Sequence, residues 1–294
     1  VYDHKYIHCD VLVVGAGISG ILAAKNAAKN NLKTLLVDEK NEIGGATIYQ
    51  NREFNKIEAQ SSSDWLKKEI QELKNVKNLE VKVRTSVAAY HGYNYLLARE
   101  NLTDHLEKKD KQGKIRQRLL KIRAKKVILA TGALERPLIF NNNDRPGIML
   151  SSAVNKYADF YGVVCGQKTV FFTNNDSAYE SAFCLHNKGI KVEAIIDIRD
   201  NSNSKIVKAV EDVGIKIHWS HTVVDTSGYK RLKNISVMRL SNDGMSVTGN
   251  RIKISSDCLG VSGGWTPAVH LFTQSGGKLK FRDEDQTFIP DSYP

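Results

Sequence analysis

Residues 9–39 read CDVLVVGAGISGILAAKNAAKNNLKTLLVDE. The apolar run 11–14 has the look of a strand buried in a parallel sheet. Three glycines follow it, Gly15, Gly17 and Gly20, in the spacing G-x-G-x-x-G. A helix pattern then runs from Ile18 to about Lys29, with Ile21, Leu22, Ala24 and Ala28 on one face. A second apolar run, 34–37, ends in Asp38 and Glu39. Each glycine has a physical reason in such a unit. Gly15 permits the tight turn out of the strand, Gly17 lets the backbone approach a pyrophosphate, and Gly20 lets the helix pack close on the sheet. The phosphates would lie at the positive end of the helix, against unpaired backbone N–H groups. Asp38 stands where an acid hydrogen-bonds a ribose hydroxyl, which disfavours a 2′-phosphate. The glycine spacing alone is weak evidence. Strand, glycines, helix, strand and acid in the required order read as a dinucleotide-binding unit, and NAD and FAD stay open because both carry the ADP half that the motif reads.

Outward from that stretch, 294 residues suffice for one large or two ordinary domains. At 41% hydrophobic the chain can bury a sizeable core, and no apolar run is long enough to span a membrane. Val1 is not a methionine and residues 1–10 have no signal-peptide apolar region, so the chain is expected to be processed or a piece of something longer. The four cysteines form no close pair, which fits a reducing cytoplasm and argues against a disulfide framework or a zinc site. The net charge of +11 comes from scattered lysines, so nucleic acid is not the expected partner; an acidic protein subunit is. The eight histidines are dispersed, and no nucleophile, triad or metal cluster stands out.

After Glu39, Gly44 and Gly45 allow the chain to double back over a nucleotide. Residues 61–75 read as a helix capped by serines, and 79–84 as a strand followed by Thr85, Ser86 and Val87. Residues 90–99 and 116–122 look like two arms of a β-ribbon with the turn at 108–114, and 126–130 like a further buried strand. Glu135 and Arg136 read as a salt bridge or solvated loop before catalysis is considered, and Pro137 and Pro146 suggest a crossover between lobes. Residues 151–161 read as a helix. A second strand–turn–helix–strand unit spans 169–196, with Thr173, Asn174 and Asn175 where glycines would be needed. Side chains there obstruct a pyrophosphate, so this lobe is expected to have lost its dinucleotide. A helix at 205–213, strands at 216–219, 221–224, 235–240 and 257–262, a short helix at 269–273 and a polar tail at 282–294 complete the reading. The fold class is α/β: two Rossmann-like lobes, the second inserted in the first, with a β-ribbon crossover. The expected boundaries are 1–142 with 257–294 for the first lobe and 143–256 for the second.

Several longer runs carry a resemblance: 130–137 (ATGALERP), 143–147 (NDRPG), 172–179 (FTNNDSAY) and 261–271 (VSGGWTPAVHL), with QSGG at 274–277. With the first glycine turn, their order resembles that of the two-dinucleotide-binding-domain flavoproteins, the fold family of the thioredoxin and glutathione reductases. Within it the chain is most similar to the alpha subunits of heterotetrameric sarcosine oxidases. The resemblance implies an oxidative demethylation of sarcosine to glycine, formaldehyde and hydrogen peroxide in a complex with beta, gamma and delta subunits. It implies that FAD and the amine site lie on the beta subunit, that FMN lies at the alpha–beta interface, and that the alpha subunit holds a noncovalent NAD. On that pattern Ser19, Asp38, Glu39, Lys40, Thr47 and Val87 join Gly15, Gly17, Gly20, Gly44, Gly45, Thr131 and Gly132 as nucleotide contacts, with Ala46 an alternative to Thr47. No catalytic residue and no metal ligand is expected in this chain. On that pattern the chain is expected to be a fragment, since residues 1–294 do not include the family's iron-sulfur-ferredoxin-like portion, its folate domain or the strand that closes the first nucleotide site. No C-x-x-C lies beside either turn, so disulfide reduction lacks its redox pair. The alternatives are a self-sufficient FAD-dependent NAD(P)H oxidoreductase and a scaffold subunit whose nucleotide never turns over.

Overall fold

In the computed structural model, residues 2–49 and 56–293 are described. They divide into two compact units, one of residues 2–48, 56–133 and 267–293, the other of Tyr49 and residues 134–266. The first unit opens with β1 (Tyr2–Val14), α1 (Ile18–Lys29) and β2 (Thr34–Val37). A 3-10 turn (Gly45–Ile48), the short strands β3 (Lys56–Ile57) and β4 (Gln60–Ser61), α2 (Ser62–Lys74) and β5 (Leu79–Lys82) follow. Then come β6 (Thr85–His91), β7 (Tyr95–Asn101), the single turn α3 (Lys108–Lys111) and β8 (Gln117–Leu129). These strands build one six-stranded sheet in the order β5-β2-β1-β8-β7-β6. Val11 to Val14 register in parallel with Thr34 to Val37 on one side and with Lys126 to Leu129 on the other. The central strands are covered on both faces, which is why their sequences are continuous apolar runs. Helix α1 packs through Gly20, Ile21, Ala24 and Ala28. Helix α2 starts at Ser61, whose hydroxyl accepts the Asp64 N–H at 3.1 Å, and buries Trp65 with Ile21, Leu66 and Leu73.

The ribbon has three strands where two arms were expected. Tyr93 and Asn94 have φ of 58° and 51°, so the chain reverses there and splits 90–99 into β6 and β7. The expected second arm and the expected strand at 126–130 are one strand of 13 residues, β8. It pairs antiparallel with β7 and parallel with β1 almost from end to end. β1 is likewise longer than its apolar run, because its polar first half follows β8.

The chain enters the second unit along β9 (Ala133–Glu135) and forms β10 (Ile148–Leu150), α4 (Ser151–Asp159), β11 (Thr169–Thr173), α5 (Ser177–Asn187) and β12 (Val192–Asp197). Next are α6 (Lys205–Asp212), β13 (Ile217–His218), β14 (His221–Ser227), β15 (Asn234–Leu240), β16 (Val247–Ser255) and β17 (Cys258–Ser262). A five-stranded sheet ordered β10-β17-β11-β12-β13 is parallel throughout, and β14-β15-β16 is antiparallel. Helices α4, α5 and α6 pack on the parallel sheet around Phe171, Tyr179 and Ile195, all fully buried. The unit boundaries fall at 133/134 and 266/267, rather than at the expected 142/143 and 256/257. The later boundary moves because β17 lies between β10 and β11, hydrogen-bonded to both, and so belongs to the second sheet. β16 was not anticipated; it is exposed along nearly its whole length, and only Ile252 and Ile254 alternate in it.

The chain returns along β18 (Trp265–Pro267) to α7 (His270–Gln274) and the hairpin β19 (Lys278–Arg282) and β20 (Thr287–Ser292). The second strand of this hairpin stands where a polar tail was expected from residue 282, with Phe281 and Phe288 packed edge to face across it; Pro294 lies outside the described residues. Among the described residues no helix is long and apolar enough to cross a membrane.

Candidate nucleotide-binding site

The glycine turn of the first unit is held from three sides. Gly15, at φ +99°, donates to the Val37 carbonyl at 2.8 Å and sits against the end of β8. A Cβ there would stand 2.2 Å from the Ala130 carbonyl oxygen. Gly20 is packed harder: its Cβ would stand 1.8 Å from the Gly15 carbonyl oxygen. Gly17 is different. It caps α1 with φ −74°, and a Cβ built on it would meet nothing within 4 Å. Two glycines are thus required by internal packing, and the one between them faces open space. No side chain caps α1, so the N–H groups of its first turn point toward that space without a helical partner. This is the cradle that a pyrophosphate needs: close backbone approach, unpaired donors and a favourable dipole.

The rim is formed by the second glycine pair and the acids after β2. Gly44 donates to the Ala16 carbonyl at 2.7 Å. Gly45, at φ +60°, lies so close that a Cβ would stand 2.9 Å from Gly17 Cα. Thr47 is buried in the 3-10 turn that follows. Asp38 is 9% exposed, and its two carboxylate oxygens accept the Ala16 N–H at 2.6 Å and the Lys40 N–H at 2.8 Å. Its backbone also pairs on both sides, donating to the Lys82 carbonyl and accepting the Thr85 N–H. Asp38 therefore ties the glycine turn to the end of β2 and to the start of β6. Glu39, the next residue, is exposed, as is Ser19 on the first turn of α1.

Of the remaining sequence candidates, Thr131 and Gly132 follow β8 directly. The Thr131 hydroxyl donates to the Ala268 carbonyl at 2.8 Å, and the Ala268 N–H donates to the Gly132 carbonyl at 3.0 Å. Val87 is half-buried in β6, two residues beyond the Thr85–Asp38 contact. Sequence reasoning missed Ala16 and Ala268, which serve through their backbones alone and leave no side-chain signal.

The matching turn of the second unit is built from side chains. The Thr173 hydroxyl accepts the Asn175 N–H, and Asn175 Oδ1 accepts the Ser177 N–H at the start of α5. Asn175 Nδ2 reaches the Ser262 carbonyl and hydroxyl. At the end of β12, fully buried Asp197 accepts from the Tyr179 hydroxyl at 2.8 Å and from Arg199 through Nε and Nη2. Burial and the neighbouring carboxylate raise the Tyr179 phenol far above its ordinary range. Arg199 also pairs with Asp176 at 2.8 Å. The acid at the position that would take a ribose is consumed internally. Among the described residues no cluster of metal-ligating side chains is found.

These features define a two-unit α/β protein of the dinucleotide-binding class. The family model described as pyridine nucleotide-disulphide oxidoreductase matches residues 9–292, and the chain belongs to that family. Among curated proteins it is 38% identical, over 99% of its length, to the sarcosine oxidase subunit alpha of Corynebacterium sp. (strain P-1), and 33% identical to that of Rhizobium meliloti (strain 1021) over 98%. It spans about 30% of the length of the former and 28% of the latter. Among solved structures it is similar to the L-proline dehydrogenase of P. horikoshii, with a TM-score of 0.68 and 21% identity over 98% of this chain and 48% of that one. The thioredoxin reductase of T. acidophilum gives the same TM-score at 18% identity, over 93% of this chain and 82% of that one. These structures share the fold of flavoproteins with two dinucleotide-binding domains, and the chain is an oxidoreductase-type domain.

Proposed function

We propose that this chain is the NAD-binding part of the alpha subunit of a sarcosine oxidase-type complex. Its own contribution is to hold one dinucleotide at the Gly15–Gly20 turn, while the amine is oxidised on a partner beta subunit carrying FAD, with FMN at the interface between them. The observation that carries the reading is the open space over Gly17 at the uncapped start of α1, between two glycines that packing alone requires. The pyrophosphate lies there, its oxygens taking the N–H groups of the first turn of α1, with Ser19 beside them. Asp38 acts as a positioning residue through its bonds to Ala16 and Lys40. Glu39, exposed at the end of β2, takes the ribose hydroxyls and disfavours a 2′-phosphate by charge repulsion. Lys40, Thr47, Val87, Thr131 and Gly132 complete the wall around the nucleotide. The nicotinamide would bring hydride chemistry when bound.

The second unit favours a structural nucleotide over a self-sufficient reductase. A reductase needs a second dinucleotide, and the internal pairing of Asp197 with Arg199 leaves no free acid for its ribose. Calorimetric titration tests the assignment. NAD is expected to bind at one per chain and NADP at least about tenfold more weakly. Glu39→Gln narrows that preference and weakens NAD by roughly 1–2 kcal/mol, the worth of a hydrogen bond to a charged group. Asp38→Asn lowers both affinity and folding stability, because an amide NH2 would confront a backbone N–H. Equal affinities for NAD and NADP in the wild type would refute the ribose assignment.

A further inference from the structure

One face of the long ribbon of the first unit carries cations and rings in excess of acids. In rows across the strands, Tyr6 lies beside Lys121, and Lys121 beside Leu97. The next row is His8, Arg123, Tyr95 and His91, and the row on the other side is His4, Leu119 and Arg99. Residues in register on neighbouring strands share a face, so these three rows form one surface whose own members include no carboxylate. The acids at its two ends, Asp10 and Asp104, are held by Lys125, at 2.7 Å, and by Arg116 and Gln117. Asp3 and Glu100 lie on the opposite face, where Asp3 pairs with Arg118 at 2.9 Å and Glu100 with Lys82 at 2.8 Å. That opposite face is the core side, with Ile7, Ile122, Leu96 and Tyr90 buried together. The surface is exposed: Tyr2 and Tyr6 are 66% and 61% accessible and Leu119 is 41%. The first half of β1 is also paired only to β8, since β2 begins its register at Val11.

We infer that this face docks an acidic protein surface, a partner whose carboxylates meet Lys121, Arg123 and Arg99 around a centre of tyrosine and leucine. Tyrosine and arginine are the residues enriched at interface cores, and the area, roughly 15 by 20 Å from strand spacings, suits such a core. A second copy of this chain is disfavoured, because two like-charged faces would repel. Single-stranded nucleic acid is disfavoured because it binds such sheets by stacking bases on ring faces. Here the Lys121 ammonium lies 4.8 Å from the Tyr6 ring centre and the Arg123 guanidinium 5.1 Å from that of Tyr95. The cations hold the ring faces and are themselves fixed in place for a carboxylate. This inference does not depend on the nucleotide assignment.

The test uses the full chain with two probes in parallel, oligo-L-glutamate and oligothymidylate. Binding is followed by anisotropy, and the site is mapped by nitration of exposed tyrosines. The expected result is salt-sensitive binding of oligoglutamate that protects Tyr2, Tyr6 and Tyr95. Lys121→Glu/Arg123→Glu should weaken it roughly tenfold or more. The charge-matched Lys208→Glu/Lys230→Glu, exposed positions of the second unit, should leave it nearly unchanged. Equal loss in both double variants would mean a net-charge effect and overturn the inference. So would oligothymidylate protecting the tyrosines in place of oligoglutamate, or neither probe binding. Circular dichroism of both variants, together with the milder Lys121→Gln, which should weaken binding severalfold, separates loss of charge from loss of fold.

Discussion

Gly15, Gly17 and Gly20 carry the same atoms and do different work. For Gly15 and Gly20 the constraint is internal, since an added methyl would enter the Ala130 or Gly15 carbonyl. Gly20→Ala is therefore expected to cost roughly 3 kcal/mol or more, as severe overpacking does. Gly17→Val should change stability by only about 1 kcal/mol, the scale of a helix-cap exchange, while abolishing nucleotide binding by filling the open space. Denaturant unfolding and NAD titration on the two variants separate these outcomes; a Gly17→Val protein that keeps stoichiometric nucleotide would falsify the site. The three glycines were legible in the sequence because the spacing is set by the turn itself. Which of Asp38 and Glu39 turns inward was not. Adjacent residues on an extended chain point to opposite sides, and nothing in the string V-D-E says which acid turns inward. Only the bond from the Ala16 N–H resolves it. The four cysteines are free. Burial raises the Cys258 thiol to about 12, which leaves it inert at neutral pH.

At the scale of the element, legibility followed the apolar pattern. Strand β11 and helix α5 were read to the residue, 169–173 and 177–187, because the strand is wholly buried and the helix nearly so. The first half of β1 was hidden because its outer face is polar; Ile7 and Cys9, both 7% exposed, are the only sign of its core side. β16 and the β19–β20 hairpin face water on most of their length, and only the short alternations Ile252/Ile254 and Leu279/Phe281 mark them in the sequence. The end of β12 yields a prediction. Arg199→Ala strands fully buried Asp197 with a single side-chain partner, Tyr179, and should cost roughly 3 kcal/mol. It should not create a second nucleotide site, since Asn175 still fills the turn. Denaturation midpoints and nucleotide stoichiometry of the variant check both halves. A second prediction concerns His218 on β13. Burial, with Lys216 and His221 nearby, lowers its pKa below the ordinary 6.5. The unfolded chain then takes up the proton more readily than the folded one, so this stabilising contribution is complete above pH 6.5. It falls away as pH drops through that value toward the lowered folded pKa, and is constant below it. Midpoints measured from pH 8 to pH 5 should fall less steeply for His218→Gln than for the wild type.

On the scale of the whole molecule, the two Rossmann-like units of one chain differ in the turn that precedes α1 in one and α5 in the other. The first keeps a turn of bare backbone open at the start of a helix. The second closes the corresponding turn with Thr173, Asn175 and Ser262, and closes its acid with Arg199. The sequence carried the overall class and the asymmetry between the units, because both are written in the two turns. It did not carry the later unit boundary, which depends on the pairing of β17 with β10 and β11. That pairing joins residues about a hundred positions apart, and no local pattern encodes it. The central claim is that one dinucleotide, NAD, occupies the turn at Gly17 and nothing occupies the turn at Asn175. The most direct test is to load the purified chain with an equimolar mixture of NAD and FAD, remove free nucleotide, denature, and quantify what is released by chromatography and mass spectrometry. The predicted result is NAD at one per chain with no flavin. FAD at one per chain, two nucleotides per chain, or an empty protein after loading would contradict it.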